Sequence, residues 1–429
     1  MEELCTNKMD ILNVQEGIKE DDSIFSLEDF PFNTLAGTQH NSAGVIQINI
    51  ENQAEYFLPS RSWLQIDGQL KKAAGDAVYI ATDMVTLINN AILYLFSNIK
   101  YHLGGNEIES INEPGQATTM MGLLKYEQTF PGLNQCWTLD SSTAAADTNT
   151  GFKKRRALIL SSDPVGSFSF AIDLKHIFGF ADDYDKVVFG LRHSLQFNRK
   201  ASNNDAIFRA NGVDPGLVDI QKMIWWMPRI MPSQVEGYRL GQLLEKDITL
   251  EVGFRGRQCI KIDIANVPSY TWNLGVRTER PQFIIVGFQT GKEDNQERNP
   301  ALFDYCRVSR IKVLLNSTEY PSIDIPTDFV KNQYAGYYKK MADFKQSFYE
   351  VDKIVSNCGI DGDDFKNLFP LFVFDVTKQI EKLATSVVDV SIKMEFNENV
   401  PNATGAYAMV ISDRKLKFKS SGKKMSVVF

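Results

Sequence analysis

SNIKYHLGGNEIES, beginning at Ser97, can be laid on SRIKVLLNSTEYPS, beginning at Ser309; Ser97, Ile99, Lys100, Leu103, Glu107 and Ser110 match Ser309, Ile311, Lys312, Leu315, Glu319 and Ser322 at a constant offset of 212. Two further matches follow in the same order. Phe170, Ile172, Asp173 and Leu174 are worded like Phe372, Phe374, Asp375 and Val376 at an offset of 202, and residues 188–198 and 387–397 both end in Phe-Asn at an offset of 199. Three collinear segments at nearly one spacing describe a single unit of roughly 200 residues present twice, the signature of internal duplication.

Working outward, the segments around these matches alternate apolar and polar residues with period two, as strands with one buried and one wet face do. Ile46, Ile48 and Ile50 alternate with Gln47 and Asn49; Phe168, Phe170 and Ile172 with Ser169 and Ala171; Val388, Val390, Ile392, Met394 and Phe396 with Asp389, Ser391, Lys393 and Glu395. Two more alternating runs, Ile248 to Phe254 and Ile260 to Ile264, read as separate strands. Helical spacing is rare. Ala117, Met120, Met121 and Leu124 follow Pro114 as a short helix, and a second helix is expected over residues 329–354, with Tyr334, Tyr337, Met341, Phe344, Phe348 and Val351 on one stripe. Many short strands with few helices predict an antiparallel sandwich or jelly roll in each half, not a parallel α/β sheet.

The chemistry-bearing residues form no recognised constellation. No phosphate loop, dinucleotide fingerprint, zinc-protease helix, nucleophile elbow or EF-hand occurs. The four histidines, His40, His102, His176 and His193, are not paired at ligand spacing, and His193 sits at an inward position of an alternating strand, which favours a satisfied core histidine over catalysis. Asp182, Asp183 and Asp185, and Asp361, Asp363 and Asp364, offer oxygens to a hard cation but lie in turns, where short acidic side chains cap backbone amides; the turn reading is favoured. No catalytic, cofactor or metal residue is therefore assigned. Residues 201–245 read as a polar connector holding an apolar knot (Trp225, Trp226, Met227, Met231, with Pro228 and Pro232), taken either as packing between the halves, the favoured reading, or as a protein interface.

Charge is concentrated at the ends. The whole chain of 429 residues has a formal charge of -7, and the first 29 residues, with nine acids against Lys8 and Lys19, account for all of it. A neutral body argues against a dedicated nucleic-acid binder, which needs a basic footprint. Arg414, Lys415, Lys417, Lys419, Lys423 and Lys424 form a basic run without an acid, read as a tail for an anionic partner or as a plain solvated end. Both ends are expected to lie outside the core. Cys5, Cys136, Cys259, Cys306 and Cys358 are odd in number and widely spaced, fitting reduced thiols and cytosolic synthesis; the sequons at Asn316 and Asn402 then carry little weight. No apolar run approaches the ~18 residues of a membrane span.

The wording of several segments goes further. FNTLAGTQHNSAGVIQINIENQAEYFLPSRSWLQIDGQL (from Phe32), NNAILYLFSNIKYHLGGNEIESINEPGQATTMMGLLKY (from Asn89), FPLFVFDVTKQ (from Phe369) and FNENVPNATGAYAMVISDR (from Phe396) resemble the double jelly-roll major capsid proteins of double-stranded DNA viruses and, among them, those of adintovirus and Polinton-like elements. The resemblance covers residues 32–429. It implies an all-β chain of two tandem jelly rolls, each an eight-stranded antiparallel sandwich, with short inserted helices. The expected organisation is an acidic arm (1–31), a first jelly roll with connector (32–232), a second jelly roll (233–412) and a basic tail (413–429). It further implies a non-enzymatic virion protein without cofactors. Its homotrimers form pseudo-hexagonal capsomers that tile an icosahedral shell with neighbouring capsomers and minor capsid or penton proteins, without sequence-specific nucleic-acid binding. The alternative is a two-domain jelly-roll module binding carbohydrate or protein, since jelly rolls also serve lectins.

Overall fold

The computed structural model describes residues 22–74, 77–127, 130, 132–278, 280–350, 359–379, 387–421 and 424–429. In the first half the principal strands are β1 (Ile24–Asn33), β2 (Gly44–Ile50), β3 (Trp63–Lys72), β4 (Phe96–Leu103), β5 (Asn106–Asn112), β6 (Ser167–Asp173), β7 (His193–Arg199) and β8 (Gly216–Pro232). In the second they are β9 (Thr249–Ile264), β10 (Ser269–Thr278), β11 (Pro281–Thr290), β12 (Val308–Leu315), β13 (Thr318–Tyr320), β14 (Phe372–Asp375), β15 (Val388–Phe396) and β16 (Thr404–Ser421), to which β17 (Lys424–Val428) is added.

One sheet of the first half runs β6-β3-β8-β1 and its facing sheet β2-β7-β4-β5; the second half runs β14-β11-β16-β9 and β10-β15-β12-β13. Adding eight to each label of the first half gives the second. The segments at Ser97 and Ser309 lie on the equivalent strands β4 and β12, each paired to the hairpin strand after it and to the seventh strand of its barrel. All these pairings are antiparallel, and both units are jelly rolls.

Alternation explains the layers. On β7, Leu195 and Phe197 are fully buried and face Tyr101 and Ile99 of β4 on one side and Ile48 and Ile46 of β2 on the other. On β15, Ile392 and Met394 do the same with Val313 and Ile311 of β12. The helix after Pro114 is α1 (Pro114–Lys125), buried along most of its length; α2 (Thr150–Leu160) and α3 (Gly179–Asp183) are also inserted in the first half. Between the barrels runs α4 (Gln234–Glu245). The single helix expected over residues 329–354 is instead two, α5 (Ala335–Ala342) and α6 (Phe344–Tyr349), divided at Asp343; residues 351–354 lie outside the described ones. A last helix, α7 (Gly362–Asn367), precedes β14.

Three expectations need correction. The apolar knot is not packing between the halves: it belongs to β8, a strand of the first barrel's core. A register shift between Ile220 and Lys222 re-aims the strand, so that Met223, Trp225 and Met227 point inward. Trp225 is fully buried, edge-on to Tyr101 at 6.2 Å, while Trp226 lies outside, stacked on Trp63 at 5.5 Å and donating to Gln65 Oε1 at 2.9 Å. The two runs 248–254 and 260–264 fall on one strand, β9, paired along its length to β16.

The described parts of both ends, finally, belong to the sheets. Residues 24–31 of the expected arm pair with β8, and the expected tail is the end of β16 plus β17, where Leu416, Phe418 and Val427 are buried. β17 reaches the first barrel: Asn106 Nδ2 donates to the Val427 carbonyl at 3.3 Å. Removing residues 424–429 is therefore expected to cost about 2 kcal/mol, the worth of one buried valine-sized side chain, measured as a lower melting temperature. Neutralising the exposed lysines of the same strands should leave that temperature unchanged.

Candidate functional site

A buried polar cluster lies where β9 crosses the first barrel. Glu109, on β5, is fully buried. Its Oε1 accepts from the Gly179 amide at 3.1 Å and the Arg257 amide at 2.9 Å, and its Oε2 from the Phe180 amide at 3.0 Å. One carboxylate thus ties β5, the start of α3 and β9 together. The approach demands glycine at 179, because a Cβ there would stand 1.8 Å from the Arg255 carbonyl oxygen. Burial pushes the Glu109 carboxyl above its ordinary value, opposed by the Arg257 charge and the three amides.

Around it, charges alternate between the barrels. Arg257 donates to Asp182 Oδ2 at 2.6 Å and to the His176 carbonyl at 3.1 Å, while Lys125 of α1 holds Asp182 Oδ1 at 2.6 Å. Burial alone would raise the Asp182 carboxyl, but the Arg257 and Lys125 cations outweigh it and hold the group below its ordinary value. Arg255 grips Asp183 through its amide at 2.7 Å and its guanidinium at 2.6 Å, and stacks 3.6 Å over the Phe348 ring. Arg414 of β16 donates to the Ile108 carbonyl at 3.0 Å.

A second set of ties lies on the loops that link β11 to β12. Tyr94 donates to the Pro300 carbonyl at 2.9 Å, and Asn299 to Asp140 Oδ2 at 2.8 Å; Asp140 is itself paired to buried Arg155 at 2.7 Å. Gln296 accepts from the Gly216 amide and donates to its carbonyl, each at 2.8 Å. The barrels are joined at both places by buried hydrogen bonds and ion pairs.

The residues singled out by sequence have structural roles here. His193 and His176 are buried and meet tyrosine hydroxyls, Tyr101 at 2.9 Å and Tyr126 at 3.1 Å, with burial pushing both imidazoles down to about 3. Asp182 and Asp183 are arginine partners, whereas Asp185 is exposed. Asp361 caps α7, accepting from the Asp363 and Asp364 amides at 2.9 and 2.8 Å. Among the described residues no group of three or more histidine, cysteine or acidic side chains is placed to hold a metal, and no helix is long and apolar enough to cross a membrane. Cys136, Cys259 and Cys306 are buried free thiols; Cys5 and Cys358 lie outside the described residues. Sequence reasoning missed Glu109, Arg255 and Arg257, because their partners come from segments far apart in the chain.

Two barrels of identical connectivity, locked side by side in one chain, define a double jelly-roll protein. The chain belongs to the double jelly roll-like domain family, whose model matches residues 85–416. Among solved structures it is similar to PBCV-1 VP54 as fitted into the cryo-EM reconstruction of the virophage Sputnik, with a TM-score of 0.60 at 9% identity over 96% of this chain and 99% of that one. It is also similar to the 3.5 Å Sputnik virophage structure (TM-score 0.57, 9% identity, 98% and 91% covered) and to the mavirus major capsid protein (TM-score 0.50, 11% identity, 100% and 94% covered). No curated protein sequence matches. At these identities the likeness is one of fold.

Proposed function

We propose that this chain is a major capsid protein of a double-stranded DNA virus or integrated viral element, acting as a homotrimer. The observation that carries the reading is the repeated eight-strand connectivity held in one block by the Glu109–Arg257 seam. Three such blocks around a threefold axis present six barrels, so a trimer has a near-hexagonal outline and identical tiles pave a shell under closed symmetry. Structures of this fold include the major capsid protein of mavirus and the PBCV-1 capsid. The proposed partners are further copies of the chain, then neighbouring capsomers and minor capsid or penton proteins, and the proposed location is the virion. Catalysis has no part in this role.

Sedimentation of the purified chain tests it. A stable species near three times 48.5 kDa is expected, with hexagonal plates or closed shells in electron micrographs. A monomer at micromolar concentration at every salt concentration would overturn the tile reading and leave the two-domain binding module.

A further inference from the structure

The end of β16 carries an unusual outer face. Leu416, Phe418 and Ser420 are buried, and Lys415, Lys417 and Lys419 stand exposed between them. Across the ladder, Lys424 of β17 is paired with Ser421, and Thr249 and Glu251 of β9 with Lys419 and Lys417. Alternate residues of a strand stand about 6.8 Å apart on one face, so these ammonium groups repel one another at short range. Among the described residues the only acid paired to this row is Glu251, 3.5 Å from Lys417 and itself largely exposed. The face has the chemistry of a docking strip for an acidic peptide.

Such a peptide is tethered nearby. Residues 1–22 hold seven acids and two lysines, a net charge of -5, and residues 1–21 precede the described part of the chain. They join the fold at Ser23, whose carbonyl accepts from the Ser233 amide at 2.9 Å beside the start of α4. The far end of α4 touches the lysine strand, where Ser420 Oγ donates to the Leu244 carbonyl. The 12 residues of α4 span about 18 Å at 1.5 Å each, whereas 22 extended residues reach about 70 Å. A tether of that length gives an effective concentration in the millimolar range, far above that of a free acidic peptide in dilute solution.

We propose that the acidic segment 1–22 docks on the Lys415–Lys417–Lys419–Lys424 face of its own chain, covering it in the free protein and excluding other polyanions. The contact is a run of carboxylate–ammonium pairs on a preformed β surface, weak singly, additive in a row, and screened by salt.

Carbodiimide cross-linking of the full chain, refolded from an equal denatured mixture of unlabelled and nitrogen-15-labelled protein so that each trimer contains both, tests this. At 50 mM salt, peptides joining Glu2, Glu3, Asp10, Glu16, Glu20 or Asp21 to Lys415, Lys417, Lys419 or Lys424 are expected, each wholly light or wholly heavy. Their yield should fall at least fivefold at 500 mM salt. The quadruple variant K415Q/K417Q/K419Q/K424Q should lose the protection of the face without loss of melting temperature, and inorganic polyphosphate should bind a variant lacking residues 1–22 at least tenfold more tightly than the full chain. Mixed light–heavy peptides in equal amounts would place the segment on a second copy and overturn the own-chain docking. Absence of these cross-links, or equal polyphosphate binding with and without residues 1–22, would overturn the proposal altogether.

Discussion

Replacing Glu109 with alanine is expected to lower the unfolding free energy by about 3–5 kcal/mol, because it leaves three buried amides without an acceptor. Glu109 receives the Gly179, Phe180 and Arg257 amides, the first two from α3 of the first half and the third from β9 of the second. Glu109→Gln keeps an oxygen for the two bonds made by Oε1 but turns an amino group toward the Phe180 amide, so about 1–3 kcal/mol is expected. Urea unfolding followed by tryptophan fluorescence reads both, since Trp225 reports the first barrel and Trp272 the second. The parent should show one transition and the alanine variant two. A loss below 1 kcal/mol with a single transition would mean that the seam is not what couples the barrels.

Acid should weaken the fold well before its carboxylates titrate. His176 and His193 are buried and pushed from 6.5 to about 3, His193 by burial alone and His176 by burial with help from Lys125 and Arg257. Between those values the unfolded chain binds two protons that the folded chain does not. Stability is thus complete above pH 6.5 and is lost as pH falls, at about 1.4 kcal/mol per histidine per pH unit. At pH 5 the two together remove about 4 kcal/mol. The double variant His176→Gln, His193→Gln should flatten the slope between pH 6.5 and 5 by about 2.7 kcal/mol per unit, whatever its effect at pH 7.5. An unchanged slope would place the acid sensitivity elsewhere.

Much of the fold is legible because burial of one sheet face leaves period two in the residues. The paired segments at Ser97 and Ser309 could be matched for that reason, and β15 reads off the page as Val388, Val390, Ile392, Met394 and Phe396. Legibility fails where a strand departs from the rule. In β8 the bulge after Ile220 puts Trp225 inside and Trp226 outside within a run that is apolar throughout, so composition suggested a linker with a knot. The lysine strand was misread for the opposite reason: Lys415, Leu416, Lys417, Phe418 and Lys419 do alternate, but their charge outweighed the period in the reading. The seam could not have been seen at all. Glu109, Asp182 and Arg257 lie more than 70 residues apart, and nothing local in the sequence states that they meet.

Each barrel joins its first strand to its eighth. Ile24 lies opposite Pro232, and Thr249 opposite Lys419. A closing contact of that sequence separation must overcome loop entropy before any burial rewards it, so barrels of this topology fold slowly. Until the closing strand arrives, β8 and β16 each present an open edge of long, largely apolar backbone, the species most prone to pair with a neighbour of its own kind. Yield in a cell making many copies at once is therefore set by a race between intramolecular closure, independent of concentration, and intermolecular pairing, which rises with it.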